Sequence, residues 1–157
     1  MHPPVPARVL SVADYESIRS SREMLLRGAG YSVISVSSDC ALTMEIPRDL
    51  AIAIIGQTVE HPDALRIAAR LGSTQADVCI LRLTIQYQRP GPEFGGCCFV
   101  EDGPEAFLSC VEELVRPAKM RERSTSLRFG NRLTVHSAFH ARSGEMDTRR
   151  TQKMRRA

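Results

Sequence analysis

The sequence predicts an α/β fold in which a parallel sheet carries helices on both faces. Along residues 8–116, short apolar runs alternate with segments whose apolar residues recur at helical spacing. One run, Leu50–Ile55, is apolar throughout, which is typical of a central parallel strand that is buried on both faces. Because strands alternate with helices, a parallel sheet is favoured over an antiparallel one.

The first strand and helix are predicted within residues 9–30. Residues 9–12 form a short apolar run after a proline-containing leader at residues 1–6. Asp14 or Ser17 offers an N-terminal cap for the helix that follows. The apolar face of this helix consists of Ile18, Leu25, Leu26 and Ala29. Gly28 and Gly30 supply its end.

The middle of the chain predicts two further strands and two further helices. Residues 31–37 favour a second strand, and Ser38 or Asp39 caps a short helix at residues 40–46. Leu50–Ile55 is the third strand. Pro62 and Asp63 then open a helix that ends at Gly72. The apolar face of that helix consists of Ala64, Ile67, Ala68 and Leu71.

The last third of the predicted domain begins with a fourth strand at residues 78–81. Residues 84–96 are rich in Pro and Gly, which favours an irregular connection too short for a full helix. A fifth strand follows at residues 97–100, and Pro104 opens the last helix, which Pro117 stops. Its apolar positions are Phe107, Leu108, Val111, Leu114 and Val115.

Five such strands with right-handed crossovers favour the doubly wound, flavodoxin-like strand order 2-1-3-4-5. In this fold, ligands bind beyond the carboxyl ends of the strands, where the strand order reverses. The residues that the sequence places at this edge are Ala13, Asp14, Gly56, Gln57, Arg82 and Leu83.

Three short segments of residues 7–116 carry a resemblance to a known family. They are VADYESIR at 12–19, CAL at 40–42 and EDGPEAF at 101–107. Together they resemble the receiver domain of bacterial response regulators, the CheY-like superfamily. The resemblance implies the CheY-like α/β fold and a role in two-component or phosphorelay signal transduction.

The resemblance also implies a set of functional positions, and most of them are altered here. Receivers hold Mg²⁺ with acids on the first strand and accept a phosphoryl group on an aspartate after the third. They also use a Ser or Thr after the fourth strand and a lysine after the fifth. In this chain, Ala13 and Asp14 stand at the positions of the first-strand acids, and Gly56, followed by Gln57, stands at the position of the aspartate. Arg82 or Leu83, with Thr84 just beyond, stands at the Ser or Thr position, and Glu101 or Asp102 stands where receivers have the lysine. With Asp14 as the one weak metal candidate, we expect a degenerate receiver that uses neither Mg²⁺ nor another cofactor.

Three of these positions admit two interpretations each. Asp14 is a remnant metal ligand or a helix cap. Gly56 allows close approach of a ligand to the backbone or is a plain turn residue. Arg82 binds an anion in the former acidic pocket, or it pairs with Asp14 or an exposed acid.

The charge of the chain is divided between two regions. Residues 1–116 hold 10 Lys and Arg and 15 Asp and Glu, which gives −5, whereas residues 117–157 hold 11 and 3, which gives +8. The second region has few apolar runs, so we expect a tail of low order. Its basic cluster, which can neutralise nucleic-acid phosphates, consists of Arg149, Arg150, Lys153, Arg155 and Arg156.

Several function classes are disfavoured by composition. No apolar run approaches the roughly 20 residues of a membrane span, and the N-terminus has no apolar signal region, so we expect a cytoplasmic protein without membrane contact. The five cysteines include no C-x-x-C pair, which disfavours a metal site. With no nucleophile–base pair and no cofactor loop, an enzyme is not expected.

The sequence therefore predicts a stand-alone pseudo-receiver that acts by protein–protein contact without phosphorylation at the usual site. The expected partner is a histidine kinase or another signalling protein. Contact is expected around the first and last helices or around the connection between strands four and five. The alternative is a nucleic-acid-binding protein that uses the basic tail, with the α/β domain as its platform.

Overall fold

A computed structural model describes residues 5–85 and 91–116 of the chain. Parallel strands pair within one sheet in the order β2-β1-β3-β4-β5. The strands are β1 (Arg8–Val12), β2 (Ser32–Val36), β3 (Leu50–Ile55), β4 (Cys79–Thr84) and the short β5 (Gly96–Phe99). The predicted parallel α/β sheet is confirmed, with the first four strands in the predicted order.

Four helices cover the two faces of the sheet. They are α1 (Glu16–Gly28), α2 (Ser38–Thr43), α3 (His61–Thr74) and α4 (Gly103–Val115). α2 and α3 contribute to one buried apolar cluster and α1 and α4 to the other. The central strand β3 supplies both, since Ala53 and Ile55 face α3 while Ile52 and Ile54 face α1 and α4.

The first two helices begin at different residues from those predicted. The N-cap of α1 is Tyr15, which makes no side-chain cap bond, so the expectation that Asp14 or Ser17 caps this helix was wrong. α2 begins at Ser38 and is capped by Ser37, whose hydroxyl accepts a hydrogen bond from the Cys40 N–H. It ends at Thr43, earlier than predicted, because Met44 is already extended.

β4 extends beyond its predicted end at residue 81. It continues through Arg82, Leu83 and Thr84, of which the sequence placed the first two at the tip of the strand and Thr84 in the following loop. Arg82 is compatible with a buried strand because its polar end binds backbone carbonyls, as described below. The edge strand β5 ends at Phe99, and Val100–Asp102 form a 3₁₀ turn before α4.

A side chain takes over strand pairing at the amino end of β3. The Gln75 Oε1 accepts from the Leu50 N–H at 3.2 Å, and its Nε2 donates to the Leu50 carbonyl at 2.8 Å. Because β4 first pairs with β3 at Ile52, the amide of Gln75 satisfies both backbone groups of Leu50.

Some predictions concern parts of the chain outside the described residues. These are the tail from residue 117, including its basic cluster, most of the leader, and residues 86–90 of the connection between β4 and β5. In the part of the chain that the structure describes, no helix is long and apolar enough to cross a bilayer.

Candidate functional site

The predicted site residues come together at the carboxyl edge of β1, β3 and β4. Gly56 follows β3, and its N–H donates to the Val12 carbonyl at the end of β1 at 2.8 Å. Arg82 Nη1, from β4, donates to the Gly56 carbonyl, also at 2.8 Å. Gly56 is therefore hydrogen-bonded to both strands that neighbour β3, namely β1 and β4.

Gly56 has no room for a side chain. A Cβ built on it would lie 2.8 Å from Arg22 Nη1 and 2.9 Å from the Val12 carbonyl oxygen. The φ of Gly56 is not positive, unlike that of Gly30 and Gly103, so conformation alone does not demand glycine here. The close approach that glycine permits is made by the chain's own Arg22. Gly56 also opens a turn, as one of the two interpretations expects, since its carbonyl accepts a hydrogen bond from the Val59 N–H at 3.2 Å.

Arg22 is a functional candidate that the sequence analysis missed. It lies in α1 with 7% of its surface exposed, and its guanidinium reaches over the edge of the sheet. Nη1 donates to the Val12 carbonyl and Nη2 to Gln57 Oε1, both at 3.4 Å. Burial lowers the pKa of Arg22 from its ordinary value to about 10, so the side chain still carries its charge at neutral pH.

The position of Arg22 in α1 carries the signal that was overlooked. It lies four residues after Ile18 and four before Leu26, which places it within the apolar stripe of the helix. An arginine inside such a stripe either extends its head group to water or finds polar partners in the interior. Here the partners are the ends of β1 and β3.

Arg82 approaches Gly56 from the other face of the sheet. Its side chain is buried, with Nη1 on the Gly56 carbonyl and Nη2 on the Val59 carbonyl, both at 2.8 Å. The guanidinium lies 5.9 Å from the centre of the Phe94 ring, and burial lowers its pKa. The expected pairing of Arg82 with Asp14 or an exposed acid was wrong, because both bonds go to carbonyl oxygens.

No carboxylate neutralises either buried arginine among the residues that the structure describes. The ion pairs found there are Arg8–Asp49, Glu23–Arg27, Asp63–Arg66 and Glu112–Arg116. Strand carbonyls at this edge point their negative ends toward the two guanidinium groups, which therefore cap the carboxyl ends of β1 and β3.

Asp14 connects three loops at this edge. Its Oδ1 accepts a hydrogen bond from the Ser38 N–H at 2.9 Å, and its own N–H donates to Thr58 Oγ1 at 3.0 Å. Arg19 Nη1 donates to the carbonyls of Ala13 and Asp14 at 3.0 and 2.9 Å. Asp14 is thus engaged at the start of α2, and not at the cap of α1.

The residues at this edge do not fit Mg²⁺, which needs several oxygen ligands and keeps its own waters. Ala13 and Gly56 supply no side-chain oxygen, and Oδ1 of Asp14 already accepts a backbone hydrogen bond. The Arg22 guanidinium adds positive charge where a cation would bind. Among the described side chains, no three His, Cys, Asp or Glu groups lie close enough together to hold a metal.

A second candidate surface lies between α1 and α4, away from the carboxyl edge. It is an open groove of about 490 Å³, here called the α1–α4 groove. Its lining residues are Ser21, Met24, Leu25, Gly28, Ala29 and Leu108. Met24 is 71% exposed there, which makes it one of the most exposed large apolar side chains in the described part of the chain.

Comparison with known proteins places the fold among receiver domains. The signal receiver domain of an HD domain-containing protein from Pseudomonas fluorescens Pf-5 is 14% identical, with a TM-score of 0.60, over 76% of this chain and 100% of that chain. The chemotaxis protein CheY4 of Vibrio cholerae is 23% identical, with a TM-score of 0.57, over 70% of this chain and 99% of that chain.

A third similar structure is a complex of the histidine kinase ThkA with the response regulator protein TrrA. The matched chain is 18% identical, with a TM-score of 0.59, over 70% of this chain and 99% of that chain. No protein-family model and no curated protein matches this sequence. The likeness to solved structures shows that the chain has the CheY-like α/β fold.

Proposed function

We propose that this protein is a pseudo-receiver that takes part in two-component or phosphorelay signalling through protein–protein contact. It accepts no phosphoryl group at the end of β3 and uses no Mg²⁺ there. One observation carries the proposal: the space beyond Gly56, where a receiver has its acceptor carboxylate, is filled by the guanidinium of Arg22.

The chemistry of phosphoryl transfer supports this conclusion. Transfer requires a nucleophile and a cation that offsets the charge on the phosphoryl oxygens. Gly56 has no nucleophilic side chain, and the Arg22 guanidinium donates hydrogen bonds to the Val12 carbonyl and to Gln57 Oε1. A phosphoryl group entering here could hydrogen-bond to the guanidinium, but Gly56 offers no atom to which it could be covalently transferred.

The partner is proposed to be a protein, a histidine kinase or another signalling protein. One structural neighbour is a response regulator in complex with a histidine kinase, which supports a protein partner for this chain as well. The α1–α4 groove is the proposed contact surface, because Met24, one of the most exposed large apolar side chains in the described part of the chain, lies in it beside Leu25 and Leu108.

The alternative that the basic tail binds nucleic acid rests on charge alone. Residues 117–157 carry +8, and the cluster Arg149, Arg150, Lys153, Arg155 and Arg156 can neutralise phosphates. Binding of this kind predicts an affinity that falls steeply with salt and is lost when residues 117–157 are deleted.

The test is the intact mass of the purified full-length protein after incubation with Mg²⁺ and acetyl phosphate. We expect no added phosphoryl group, while a conventional receiver in the same tube gains one. A base-labile adduct on this chain would sink the proposal. Mass spectrometry of its peptides, together with the Asp14→Asn variant, would then show which acid had become the acceptor.

A further inference from the structure

The α1–α4 groove has an exposed apolar floor, and α4, which supplies Leu108 to it, contains glutamates but no Lys or Arg. Met24 is 71% exposed, and Leu25 and Leu108 are half-buried beside it. Among residues 101–115, which include α4, there is no Lys or Arg, whereas the acids are Glu101, Asp102, Glu105, Glu112 and Glu113. An occupant that fits this surface carries apolar side chains together with positive charge.

The segment that follows α4 has this chemistry. Residues 117–157 hold 11 Lys and Arg against 3 Asp and Glu. Large apolar side chains are interspersed among these charges, namely Leu127, Phe129, Leu133, Val135 and Phe139. The positively charged segment 117–157 thus begins just after residues 101–115, which carry five acids and no Lys or Arg.

The segment also begins beside the groove. Val115 near the end of α4 packs against the same apolar cluster as Leu25, Leu108 and Tyr31. Tyr31 is two residues beyond Ala29, which lines one end of the groove. At a rise of about 1.5 Å per residue, the eight steps from Leu108 to Arg116 span about 12 Å. A tail of 41 residues is many times longer than this distance.

We propose that the basic segment 117–157 docks on the α1–α4 groove of its own chain. Its apolar side chains cover Met24 and Leu108, and its Arg and Lys side chains lie against the glutamates of α4. Covalent linkage raises the local concentration of the segment at the groove, so weak contacts suffice. If the groove is also the partner surface, which rests on the proposed function above, the tail competes with the partner.

The lysine content of the chain makes a direct test possible. Lys119 and Lys153 are its only lysines, and both belong to the tail. A zero-length carbodiimide couples a lysine amine to a carboxylate only when the two are in contact. Lys119 is too near α4 in sequence to be informative, whereas Lys153 is 40 residues beyond Glu113.

The experiment is carbodiimide coupling of the dilute full-length protein, read by peptide mass spectrometry. We expect links from Lys153 to Glu105, Glu112 or Glu113, and a several-fold lower yield in about 1 M NaCl, where charges are screened beyond about 3 Å. Met24→Arg, which adds a positive charge to the groove, is expected to lower the yield several-fold. Ala69→Arg, on the exposed face of α3, is the matched control and leaves the yield unchanged.

Three outcomes overturn the proposal. The links of Lys153 are absent, or they spread evenly to acids of the α2–α3 side such as Asp39 and Asp63, or they join two copies in a mixture of ¹⁵N-labelled and unlabelled protein. The last outcome assigns the groove to a second copy of the chain. Phosphoryl uptake is measured on separate samples, so failure of the pseudo-receiver proposal is distinguishable from failure of tail docking.

Discussion

Two arginines reach Gly56 from opposite faces of the sheet, and their surroundings differ. Arg82, on the α2–α3 side, donates two hydrogen bonds of 2.8 Å to the carbonyls of Gly56 and Val59. Arg22, on the α1–α4 side, donates two bonds of 3.4 Å, to the Val12 carbonyl and to Gln57. Arg82 therefore holds the backbone in place, whereas Arg22 mainly fills the space beyond Gly56.

The comparison shows that a buried charge does not by itself reveal what a residue contributes. Both guanidinium groups lose most of their hydration, and neither has a carboxylate partner among the described residues. Good hydrogen-bond geometry offsets this desolvation for Arg82. For Arg22 the longer hydrogen bonds offset less of the desolvation, so we expect Arg22 to contribute less to stability than Arg82 and to act mainly by occupying the space beyond Gly56.

The largest expected effect is that of Arg82→Met. The substitution leaves the carbonyls of Gly56 and Val59 buried without these donors, so we expect the free energy of unfolding to fall by about 2–5 kcal/mol. Chemical denaturation followed by circular dichroism measures it. Arg66→Met, which removes an exposed arginine from α3, is the control, with an expected change below about 0.5 kcal/mol. A loss for Arg82→Met as small as that of the control would remove the distinction between the two buried arginines.

An intermediate effect is expected for Gly56→Ala. The added Cβ meets Arg22 and the Val12 carbonyl at less than 3 Å, so we expect a loss of about 1–3 kcal/mol. In an Arg22→Ala background the same change is expected to be less destabilising, with a coupling energy of about 0.5 kcal/mol or more. Strict additivity in this double-mutant cycle would contradict the assignment of Arg22 to that space.

The smallest effect is expected for Arg22→Met. The substitution removes a desolvated charge and two long hydrogen bonds while retaining most of the apolar stem, so stability is expected to change by less than about 1 kcal/mol in either direction. Because the pKa of Arg22, about 10, lies well above neutral, the difference from the unsubstituted protein is expected to stay constant between about pH 6 and 8. A loss equal to that of Arg82→Met would show that both arginines hold the backbone.

The sequence was sufficient for the order of elements because the patterns there are strong. Leu50–Ile55 has no polar residue, and the apolar stripe of α3 is unbroken between Ala64 and Leu71. The end of β4 was missed because Arg82 and Thr84 interrupt the apolar run. Their burial depends on partners from β3 and the loop after it, which a local pattern does not reveal.

The candidate site was predictable in position but not in its contacts. Gly56 and Asp14 were placed at the correct edge from strand order alone. Arg22 was not predicted because the pattern that identifies its helix consists of apolar residues. Its contact with Gly56 joins residues 34 positions apart, and the length of its side chain decides which strand end it reaches.

The amide of Gln75 restricts motion at the amino edge of the sheet, which lies opposite the edge that holds Gly56. Because its two bonds reproduce those of a neighbouring strand, Leu50 is held as if β4 began two residues earlier. The Leu50 N–H is therefore expected to exchange with solvent deuterium only when the loop between α3 and β4 opens. Opening of that loop and fraying of β3 become a single event, which joins the end of one helix to the centre of the sheet.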